Sequence, residues 1–506
     1  MIKTIGVILS FIFLSLASKG QIKPNDFSIL NYRIAGFSVP ENTKATSYIF
    51  QIAKGDISNE QAFVKAVFIT HKTNKPKDIA ELPYWGKQYT WRVSYLDNAG
   101  KEFANSGLHH FATGDLVYTD TTKNGLIVIK QATDHKDLLV LVDRTLVMYD
   151  MKGSPVWYMP DIPEIKKRDV GVRDFKATND GTFTFLVQDR AFEIDYNGQI
   201  IWEAPNDGKV SGKKTEGYHH EFTKLSNGHY MVAGAEVVKK RVPGPIADYF
   251  SDGEVSVTKG NDGNYYKEFT CGTLIEYDAS GNVVWSWRTA EHLNDDDFFW
   301  PIKTIKMPFD GNPYMNGFDF DMANNVIYMS YKSINRVIKI AYPGGEILNS
   351  YGGKEDNSPF YGQHSCRVNK RTNELYLYNN NHSDYLPIST SQIDAEGYLT
   401  SHVVKYKQPA GSNKLIKNWD VGIRLSQDKN AQQVSIRGGS VDILDDDCVL
   451  VNTGTLNLLI LIDNQKQKIW EAVPFTTENN FRVPLLPYRS SHLHKKDIEK
   501  FLFRLH

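Results

Sequence analysis

Apolar and polar residues alternate in short runs through most of the chain, and Asp, Asn or Gly separates one run from the next. "RAFEIDYNGQIIW" ends at Trp202 and "TLIEYDASGNVVW" ends at Trp285. A period of two places every second side chain on the same face of a strand. The residues between two such runs favour a tight reversal of the chain. The pattern therefore predicts antiparallel β-hairpins and little helix.

This hairpin recurs along residues 121–480, and most copies follow a second hairpin such as "KLSNGHYMVAG". The six copies end at Trp157, Trp202, Trp285, Leu348, Trp419 and Trp470, the first two lying 45 positions apart (202 − 157). Two hairpins form a four-stranded unit that cannot bury both faces alone, whereas six units stacked about an axis can. Residues 119–480 are therefore predicted to form a six-bladed β-propeller, followed by a C-terminal tail, 481–506.

Two further segments precede the repeats. Residues 21–118 contain "QYTWRVSYLD" and resemble the later strands of a fibronectin type III sandwich, so a small β-sandwich is expected there. Residues 1–20 carry Lys3, an apolar stretch and then small residues, which is typical of a secretory signal peptide. The predicted fold class is all-β, and the protein is expected to be periplasmic or secreted. The apolar stretch is shorter than the length that a membrane-spanning helix usually needs.

Composition excludes some partners. Hydrophobic residues make up 41% of the chain and charged residues 23%, as in an ordinary globular protein, and the formal net charge is -1. A net charge this close to zero produces no positive electrostatic potential that would attract nucleic acid or an anionic membrane. The three cysteines, Cys271, Cys366 and Cys448, allow at most one internal disulfide. An extended strand would place Cys366 on the same side as His364, although a buried, inert thiol is the commoner case.

Polar residues recur just before the first strand of each predicted blade. When the blades are aligned on their hairpin turns, these positions are His219 and His220 in the third blade, Tyr314 and Asn316 in the fourth, and His364 in the fifth. Radial symmetry brings equivalent positions together on the axis. Two histidine positions with an asparagine between them in chain order favour a site for an anionic group beside a nucleophile or base. The alternative is that each histidine is a hydrogen-bonded structural residue.

Other chemistries find less support. Asp174 and Glu221 are the only carboxylates expected near the site, which argues against hydrolysis by paired carboxylates. The chain has no His-Glu-x-x-His pattern and no phosphate-binding loop, so neither a metal nor a nucleotide is predicted. No cofactor is expected.

Several segments together carry a family resemblance. They are "GYHHEFTKLSNGHYMVAG", "GNVVWSWRTAEHLN", "NGFDFDMANNVIYMSYKSINRVIKI", "GQHS" with "LYLYNNN", "GGSVDIL" and "LPYRS". In this order they are similar to segments of the bacterial arylsulfate sulfotransferases, which are exported six-bladed propellers preceded by a β-sandwich. The resemblance covers residues 120–495. It implies transfer of a sulfuryl group from an aryl sulfate to a phenol, without a nucleotide donor, through a sulfohistidine. Small-molecule aryl sulfates and phenols would be the partners.

Roles follow from the motifs that match. The resemblance implies that His364 is the nucleophile of the family's Gln-His motif. It implies that His219 or His220 is the assisting histidine, and the sequence does not choose between them. Asn316 matches the asparagine of the family's His-x-Asn-Ser motif. Arg489, in "LPYRS", either reaches the funnel or holds the tail.

The chain also departs from the family pattern. Tyr314 stands where a second pocket histidine is expected, Gly317 replaces a serine, Lys332 replaces an arginine and Glu221 replaces an aspartate. Lysine supplies a charge without the planar fork of arginine, and a phenol is a poorer base than imidazole at neutral pH. These changes leave an alternative open, a non-catalytic propeller that binds a sulfated or other anionic ligand, and, less favoured, a hydrolase of an anionic ester. A homodimer also remains open.

Overall fold

The computed structural model describes residues 21–504, apart from 116–123, 167–170, 245–256, 300–311, 354–357, 383–387, 432 and 479–480. The expected signal peptide, residues 1–20, lies outside the described residues. So does much of two stretches that exceed the repeat, 239–266 and 288–314. Contacts divide the chain into two compact units, with the boundary after Asp115.

Both units are built almost entirely of strands, as the alternating pattern predicts. Short helices occur at α1 (Glu60–Ala66), α2 (Pro163–Lys166), α3 (Thr289–His292) and α4 (Ile498–Leu502). The side chain of Asn59 caps the N-terminus of α1 by accepting a hydrogen bond from the Ala62 backbone. Among the described residues, no helix has both the length and the apolar composition needed to cross a membrane.

Eight strands lie in the described residues of the first unit, 21–115. They are β1 (Ser28–Leu30), β2 (Ile34–Ser38), β3 (Ser47–Lys54), β4 (Val67–Thr73), β5 (Lys77–Glu81), β6 (Gln88–Leu96), β7 (Glu102–Asn105) and β8 (His109–Thr113). Their order is β1-β8-β6-β3-β4 in one sheet, with β7 also paired to β6, while β2 and β5 form a second sheet. Trp91 is fully buried, with Phe37 edge-on to its ring. His109 and His110 pair with Asp26 and Asp56, which gives them structural roles.

The second unit contains the remaining strands. They are β9 (Asn124–Lys130), β10 (Leu138–Val142), β11 (Val147–Asp150), β12 (Pro155–Tyr158), β13 (Val172–Ala177), β14 (Phe183–Val187), β15 (Arg190–Ile194), β16 (Ile200–Glu203), β17 (Phe222–Lys224), β18 (Tyr230–Arg241), β19 (Val257–Lys259), β20 (Tyr265–Tyr277), β21 (Val283–Arg288), β22 (Gly317–Asp321), β23 (Val326–Tyr331), β24 (Arg336–Ala341), β25 (Ile347–Gly352), β26 (His364–Asn369), β27 (Glu374–Asn379), β28 (His402–Lys407), β29 (Ile416–Gly422), β30 (Ser440–Ile443), β31 (Val449–Asn452), β32 (Leu459–Ile462), β33 (Lys468–Glu478), β34 (Phe481–Pro484) and β35 (Ser490–His494).

Within its described residues, these strands form six antiparallel sheets. Sheet I has the order β35-β10-β11-β12, sheet II β13-β14-β15-β16, and sheet III β17-β18-β20 with β19 and β21 both on β20. Sheets IV and V are β22 to β25 and β26 to β29 in chain order. Sheet VI is β30-β31-β32-β33, with β34 and β9 both paired to β33. The segment expected as a tail therefore supplies strands to sheets I and VI.

The recurring tryptophans join one sheet to the next. The indole N–H of Trp157, at the end of sheet I, donates to the Tyr196 carbonyl of sheet II at 2.8 Å. Trp470 of sheet VI donates to the Met151 carbonyl of sheet I at 2.9 Å. Both rings are fully buried, so each contributes apolar area and a satisfied N–H at a sheet junction. This explains why the repeats close on tryptophan.

The first strands of the sheets lie against one another. β22 contacts β26, β26 contacts β30, β30 contacts β35, and β35 contacts β13. Residues at the start of these strands are therefore close in space although they are far apart in sequence. The candidate functional residues lie at these strand starts.

Candidate active site

The residues predicted from the blade register lie at the starts of first strands and come together in space. His364 is the first residue of β26, and Asn316 directly precedes β22. The Asn316 side chain donates to the Gln363 carbonyl at 2.8 Å. The ring of His219, just before β17, stacks on Tyr314 with 3.8 Å between the ring centres. Sheets III, IV and V thus each contribute a polar side chain to one cluster.

His364 is held in one tautomer. Its Nδ1 lies 2.8 Å from Oδ1 of Asn380. The amide nitrogen of Asn380 donates to the carbonyls of Ser435 and Gly438, at 2.9 and 3.1 Å, so its oxygen faces the histidine. An amide oxygen only accepts, so Nδ1 of His364 must carry the proton. The lone pair is then on Nε2, the nitrogen that is free to act as a nucleophile.

His364 also stays neutral. Burial, with the ammonium group of Lys332 nearby, lowers the pKa of His364 to about 3. Only about 4% of the residue is exposed. A neutral imidazole is the form that can attack an electrophilic sulfur.

A bulge in β26 separates His364 from Cys366. Ser365 has a φ of 55°, and His364 pairs with Tyr378 while Cys366 pairs with the adjacent Leu377. β26 is therefore not regularly extended at this point, and the two side chains do not share one side of the strand. The Cys366 thiol packs in the core of sheets IV and V, where burial raises its pKa. It is free, as are the other two cysteines.

The neighbouring histidines form a directed pair. Nε2 of His219 lies 2.8 Å from the Gly234 carbonyl, which only accepts, so this nitrogen carries a proton. Nδ1 of His219 is therefore the acceptor of its 2.8 Å contact with Nδ1 of His220. The proton of His220 is on Nδ1, which leaves its Nε2 with a lone pair. His220 is the free base of the pair, and His219 orients it.

Burial keeps both rings of this pair neutral, with one proton each. It lowers the pKa of His219 to about 3, and it lowers the pKa of His220 well below the usual value, with His219 contributing. His220 is partly exposed, whereas His219 is 5% exposed. The ring of Tyr488 lies between the two histidine positions, 5.2 Å from His220 and 6.3 Å from His364 between ring centres. The partly exposed His220 therefore faces the same space as His364.

Tyr314 and Asn316 present hydrogen-bonding groups of opposite kind. Burial raises the pKa of Tyr314, so its hydroxyl stays protonated and available as a donor. Asn316 uses its amide nitrogen on the Gln363 carbonyl, and its buried Oδ1 has no hydrogen-bond partner among the described residues. An orphaned buried acceptor is costly unless a ligand or water uses it.

Lys332 and Arg489 play different parts. Lys332 donates to the Ile436 carbonyl at 3.1 Å, and its charge acts on His364. Arg489 donates to the Asn316 carbonyl at 2.7 Å and to Glu221 at 2.5 Å. Arg489, just before β35, thus supports the Asn316 backbone rather than lying free in the site.

Glu221 anchors a buried charge network beneath the histidines. Its oxygens lie 2.5 Å from the Lys176 ammonium, 2.8 Å from the Arg367 guanidinium and 2.5 Å from Arg489. Burial opposes its charge, but the cations outweigh burial, and the pKa of Glu221 lies well below the ordinary value. A Cβ at Gly317 would sit 3.2 Å from the Arg489 guanidinium, so the guanidinium occupies the room that the expected serine would need.

Comparison with protein families gives the decisive observation. The model of the family "Arylsulfotransferase (ASST)" matches residues 118–483. The chain belongs to the arylsulfotransferase family. The resemblance inferred from the motifs is therefore confirmed, and membership implies aryl sulfate sulfotransferase activity in general, with small-molecule aryl substrates.

Solved structures similar to the chain are distant in sequence. A protein of unknown function from Bacteroides caccae is 12% identical, with a TM-score of 0.39, and the match covers 73% of this chain and 99% of that one. A streptogramin B lyase is 11% identical, with coverage of 70% and 89% and a TM-score of 0.34. The β-propeller domain of Myceliophteria thermophila Cps50 (Swd1) is 8% identical, with coverage of 68% and 88% and a TM-score of 0.35. No curated protein matched the chain in sequence.

Three further residues belong to the candidate site and are not among those that the sequence motifs predict. Asn380 sets the tautomer of His364, and Tyr488 lies between the histidines. Arg173, in β13, lies with its guanidinium carbon 5.8 Å from the centre of the Tyr488 ring and lowers the pKa of both His219 and His220. Arg173 is the second residue of β13, the first strand of sheet II, and this position at a first-strand start is the signal that could have found it.

Arg173 differs from the arginines of the charge network around Glu221. Arg367 and Arg489 both pair with Glu221. Across the described ranges, the guanidinium of Arg173 has no carboxylate or carbonyl partner, only its contact with the Tyr488 ring. A partly exposed, uncompensated guanidinium near neutral histidines favours binding of an anion.

A cavity of about 630 Å³ is lined by residues from the first strands of all six sheets of the second unit. The charge network lines it through Asp174, Glu221, Arg367 and Arg489. In the described part of the chain, the three site histidines are not among its lining residues. The histidine cluster is therefore reached from elsewhere, on the side where His220, Tyr314 and Tyr488 are partly exposed.

Proposed function

We propose that the chain transfers a sulfuryl group from an aryl sulfate to a phenolic acceptor through a sulfohistidine on His364. The observation that carries the proposal is the contact between Nδ1 of His364 and Asn380, which leaves a neutral Nε2 as the nucleophile. In the first half, Nε2 attacks sulfur, the bond from sulfur to the aryl oxygen breaks, and a phenolate leaves. Division into two steps through a covalent intermediate is ordinary nucleophilic catalysis.

In the second half, the acceptor phenol attacks the sulfur, the bond from sulfur to nitrogen breaks, and a new aryl sulfate leaves. We assign the acceptance of the phenol proton to Nε2 of His220, which then passes it to solvent. The support is the hydrogen-bond chain from the Gly234 carbonyl through His219, which leaves a lone pair on that nitrogen. In this proposal His220 is the base and His219 is a positioning residue.

The sulfate oxygens need positive or donor groups where negative charge develops. We propose that Arg173 supplies the guanidinium that the family pattern places at Lys332, with the Lys332 ammonium and the Tyr314 hydroxyl as further donors. Support comes from the guanidinium of Arg173, which has no carboxylate partner among the described residues, and from its influence on the site histidines. The Oδ1 of Asn316 is left to accept a hydrogen bond from the acceptor's hydroxyl.

The experiment uses 4-nitrophenyl sulfate as donor and a range of simple phenols as acceptors. We expect release of nitrophenol that depends on the acceptor, together with the sulfated acceptor. His364→Ala should abolish both, whereas His229→Gln, at a histidine paired with Glu276 in sheet III, should leave them unchanged. No turnover by folded protein across several donors would refute the activity, and turnover by His364→Ala would refute the nucleophile.

A second candidate function is binding without catalysis of a sulfated or other anionic ligand. The substitutions at Tyr314 and Lys332 favour it, because loss of one acid–base partner lowers a rate by about 10²- to 10⁴-fold. Intact-mass measurement after mixing with an aryl sulfate separates the candidates. A covalent gain of one sulfuryl group, absent in His364→Ala, supports transfer, whereas saturable binding without a mass change supports the alternative.

The proposed frame is a six-bladed propeller, with the six sheets of the second unit as its blades. The mutual contacts of their first strands and the tryptophan bridges between successive sheets support it. We propose also that the protein acts in the periplasm or outside the cell, because residues 1–20 have the composition of a signal peptide.

A further inference from the structure

A second cluster of reactive side chains lies away from the histidines of the active site. His135 is in the connection from β9 to β10, whereas Asp446 and Cys448 belong to the turn between β30 and β31. One ligand atom from each of the three lies within 4.8 Å of those of the other two. Residues 313 positions apart thus converge on one point.

The geometry distinguishes a metal site from a nucleophilic triad. Nε2 of His135 is 3.7 Å from the Cys448 sulfur and 3.6 Å from Oδ2 of Asp446. In a relay of thiol, imidazole and carboxylate, the carboxylate contacts the opposite ring nitrogen from the thiol. Here both groups approach the same nitrogen. Such convergence describes corners of one coordination polyhedron.

The separations also have the right size. A tetrahedral zinc ion with bonds of about 2.0–2.1 Å to nitrogen or oxygen and about 2.3 Å to sulfur sets an N···S edge of about 3.5 Å and an N···O edge of about 3.4 Å. The observed 3.7 and 3.6 Å lie within about 0.2 Å of these values. Oδ1 of Asp446 accepts from the Cys448 backbone at 3.1 Å, which turns Oδ2 toward the histidine.

We propose that His135, Asp446 and Cys448 bind one zinc ion, which ties the β9–β10 connection to the β30–β31 turn. The site is independent of the sulfuryl-transfer proposal. Mixed sulfur, nitrogen and oxygen donors favour zinc among the common divalent ions. Because the side chain of Asp446 is half exposed, solvent reaches the fourth position.

The placement indicates a structural role. β9 pairs with β33 in sheet VI, and β10 pairs with β35 in sheet I, so the β9–β10 connection joins the sheets that hold the two ends of the second unit. A metal there crosslinks this connection to a hairpin of sheet VI. Ions that bind the folded but not the unfolded chain stabilise the fold by mass action.

Cobalt(II) provides the test, because a thiolate ligand gives a near-ultraviolet sulfur-to-cobalt charge-transfer band. We titrate cobalt chloride into the chelator-treated full chain and then add zinc chloride. One equivalent of cobalt should produce the band, one of zinc should remove it, and zinc should raise the melting temperature. Cys448→Ser should abolish the band. Asp446→Asn should weaken metal binding at least about tenfold, because even the loss of a group that only hydrogen-bonds a metal ligand costs about that much in affinity.

The controls keep the outcomes decisive. His71→Gln removes a surface histidine paired with Asp78 and no sulfur, and it should leave the titration unchanged. Asp446→Asn changes an exposed side chain, so it tests the site even if Cys448→Ser fails to fold. Absence of the band in the wild-type chain, its survival in Cys448→Ser, or an unchanged affinity in Asp446→Asn would overturn the proposal.

Discussion

The position of single protons gives each histidine of the site its chemistry. His364 and His220 present a lone pair only because Asn380 and His219 occupy their other ring nitrogens. The same residues with exchanged tautomers would present N–H donors and could not attack sulfur or accept a proton. The carbonyl of Gly234 begins one of these chains, and it is a backbone group that no side-chain motif records.

The low pKa of His364 makes a pH prediction. A free imidazole loses nucleophilicity below about pH 6.5, whereas His364, with a pKa of about 3, stays neutral down to about pH 4. The kcat/KM for 4-nitrophenyl sulfate should therefore stay flat from pH 7 to pH 5, as measured by quenched assays. A fall centred near pH 6.5 would show that the nucleophile is an ordinary exposed histidine.

Arg173 is expected to bind the transferred group. Arg173→Gln should lower kcat/KM for aryl sulfates by about 10²-fold or more, as removal of one preorganised donor does elsewhere. The kcat/KM of Arg173→Lys should fall between those of the wild-type chain and Arg173→Gln, because lysine keeps the charge but lacks the planar guanidinium that binds two oxygens at once. Arg190→Gln is the matched control, since Arg190 lies in the same sheet and pairs with Glu203. Equal rates for Arg173→Gln and Arg190→Gln would exclude the role.

At the scale of elements, the first strands are irregular where they carry the site. Asp174, His220 and Ser365 have φ values of 54, 59 and 55°, and each lies within three residues of the start of a first strand. Left-handed backbone costs about 1–2 kcal/mol for such residues. Strain of this kind is concentrated at functional sites, where surrounding structure holds it. In β26 the resulting bulge directs His364 to the site and Cys366 to the core.

A second element holds the strand that delivers Arg489. Buried Asp143, in the turn after β10, accepts from the backbone N–H groups of Tyr488 and Arg489, at 3.0 and 2.8 Å. Asp143→Ala leaves two donors without a partner and should lower the free energy of unfolding by about 2 kcal/mol. Asp428→Ala removes an acceptor at an exposed turn, where water replaces it, and should cost much less. Similar losses in urea denaturation would argue against this anchor.

At the scale of the whole molecule, the closing contacts come from residues far apart in sequence. β35, near the C-terminus, is the first strand of sheet I, and β9 pairs with β33. Removal of residues 485–504 would delete β35 and Arg489 together, so that Glu221 keeps Lys176 and Arg367 but loses one cation. We expect the truncated chain to be insoluble or to lack a cooperative unfolding transition, as measured by circular dichroism.

Buried neutral histidines make the fold sensitive to acid. The unfolded chain protonates His219 and His364 below about pH 6.5, and the folded chain does so only near pH 3. Their contribution to stability is therefore complete above pH 6.5 and is lost as the pH falls toward 3. Burial raises the pKa of Asp143 to about 7, which acts in the opposite sense, since its contribution is lost as the pH rises through 7.

Urea unfolding at pH 7 and pH 5 measures how the ionisation of these histidines and of Asp143 changes the stability of the fold. We expect a lower unfolding midpoint at pH 5 in the wild-type chain. His364→Gln should lose less on acidification, and Asp143→Asn should lose more. The reverse order for the two variants would contradict the assigned protonation states.

The sequence by itself determined much about this protein. Alternation of apolar and polar residues predicts antiparallel strands because it reflects a local property, the two faces of one strand. The turn residues mark the hairpins, the repeated tryptophans mark the sheet ends, and the ordered motifs identify the arylsulfotransferase family. Each strand, turn and sheet end is specified by residues in the same short segment of the chain.

Only the tertiary structure decided which side chains are reactive. Asn380 contacts Ser435, Arg489 contacts Glu221, and Arg173 approaches Tyr488, all across gaps that no periodicity spans. The bulge at Ser365 reverses an assignment that regular alternation makes. Burial, proton position and charge compensation depend on partners brought together by folding, so no local pattern in the chain determines them.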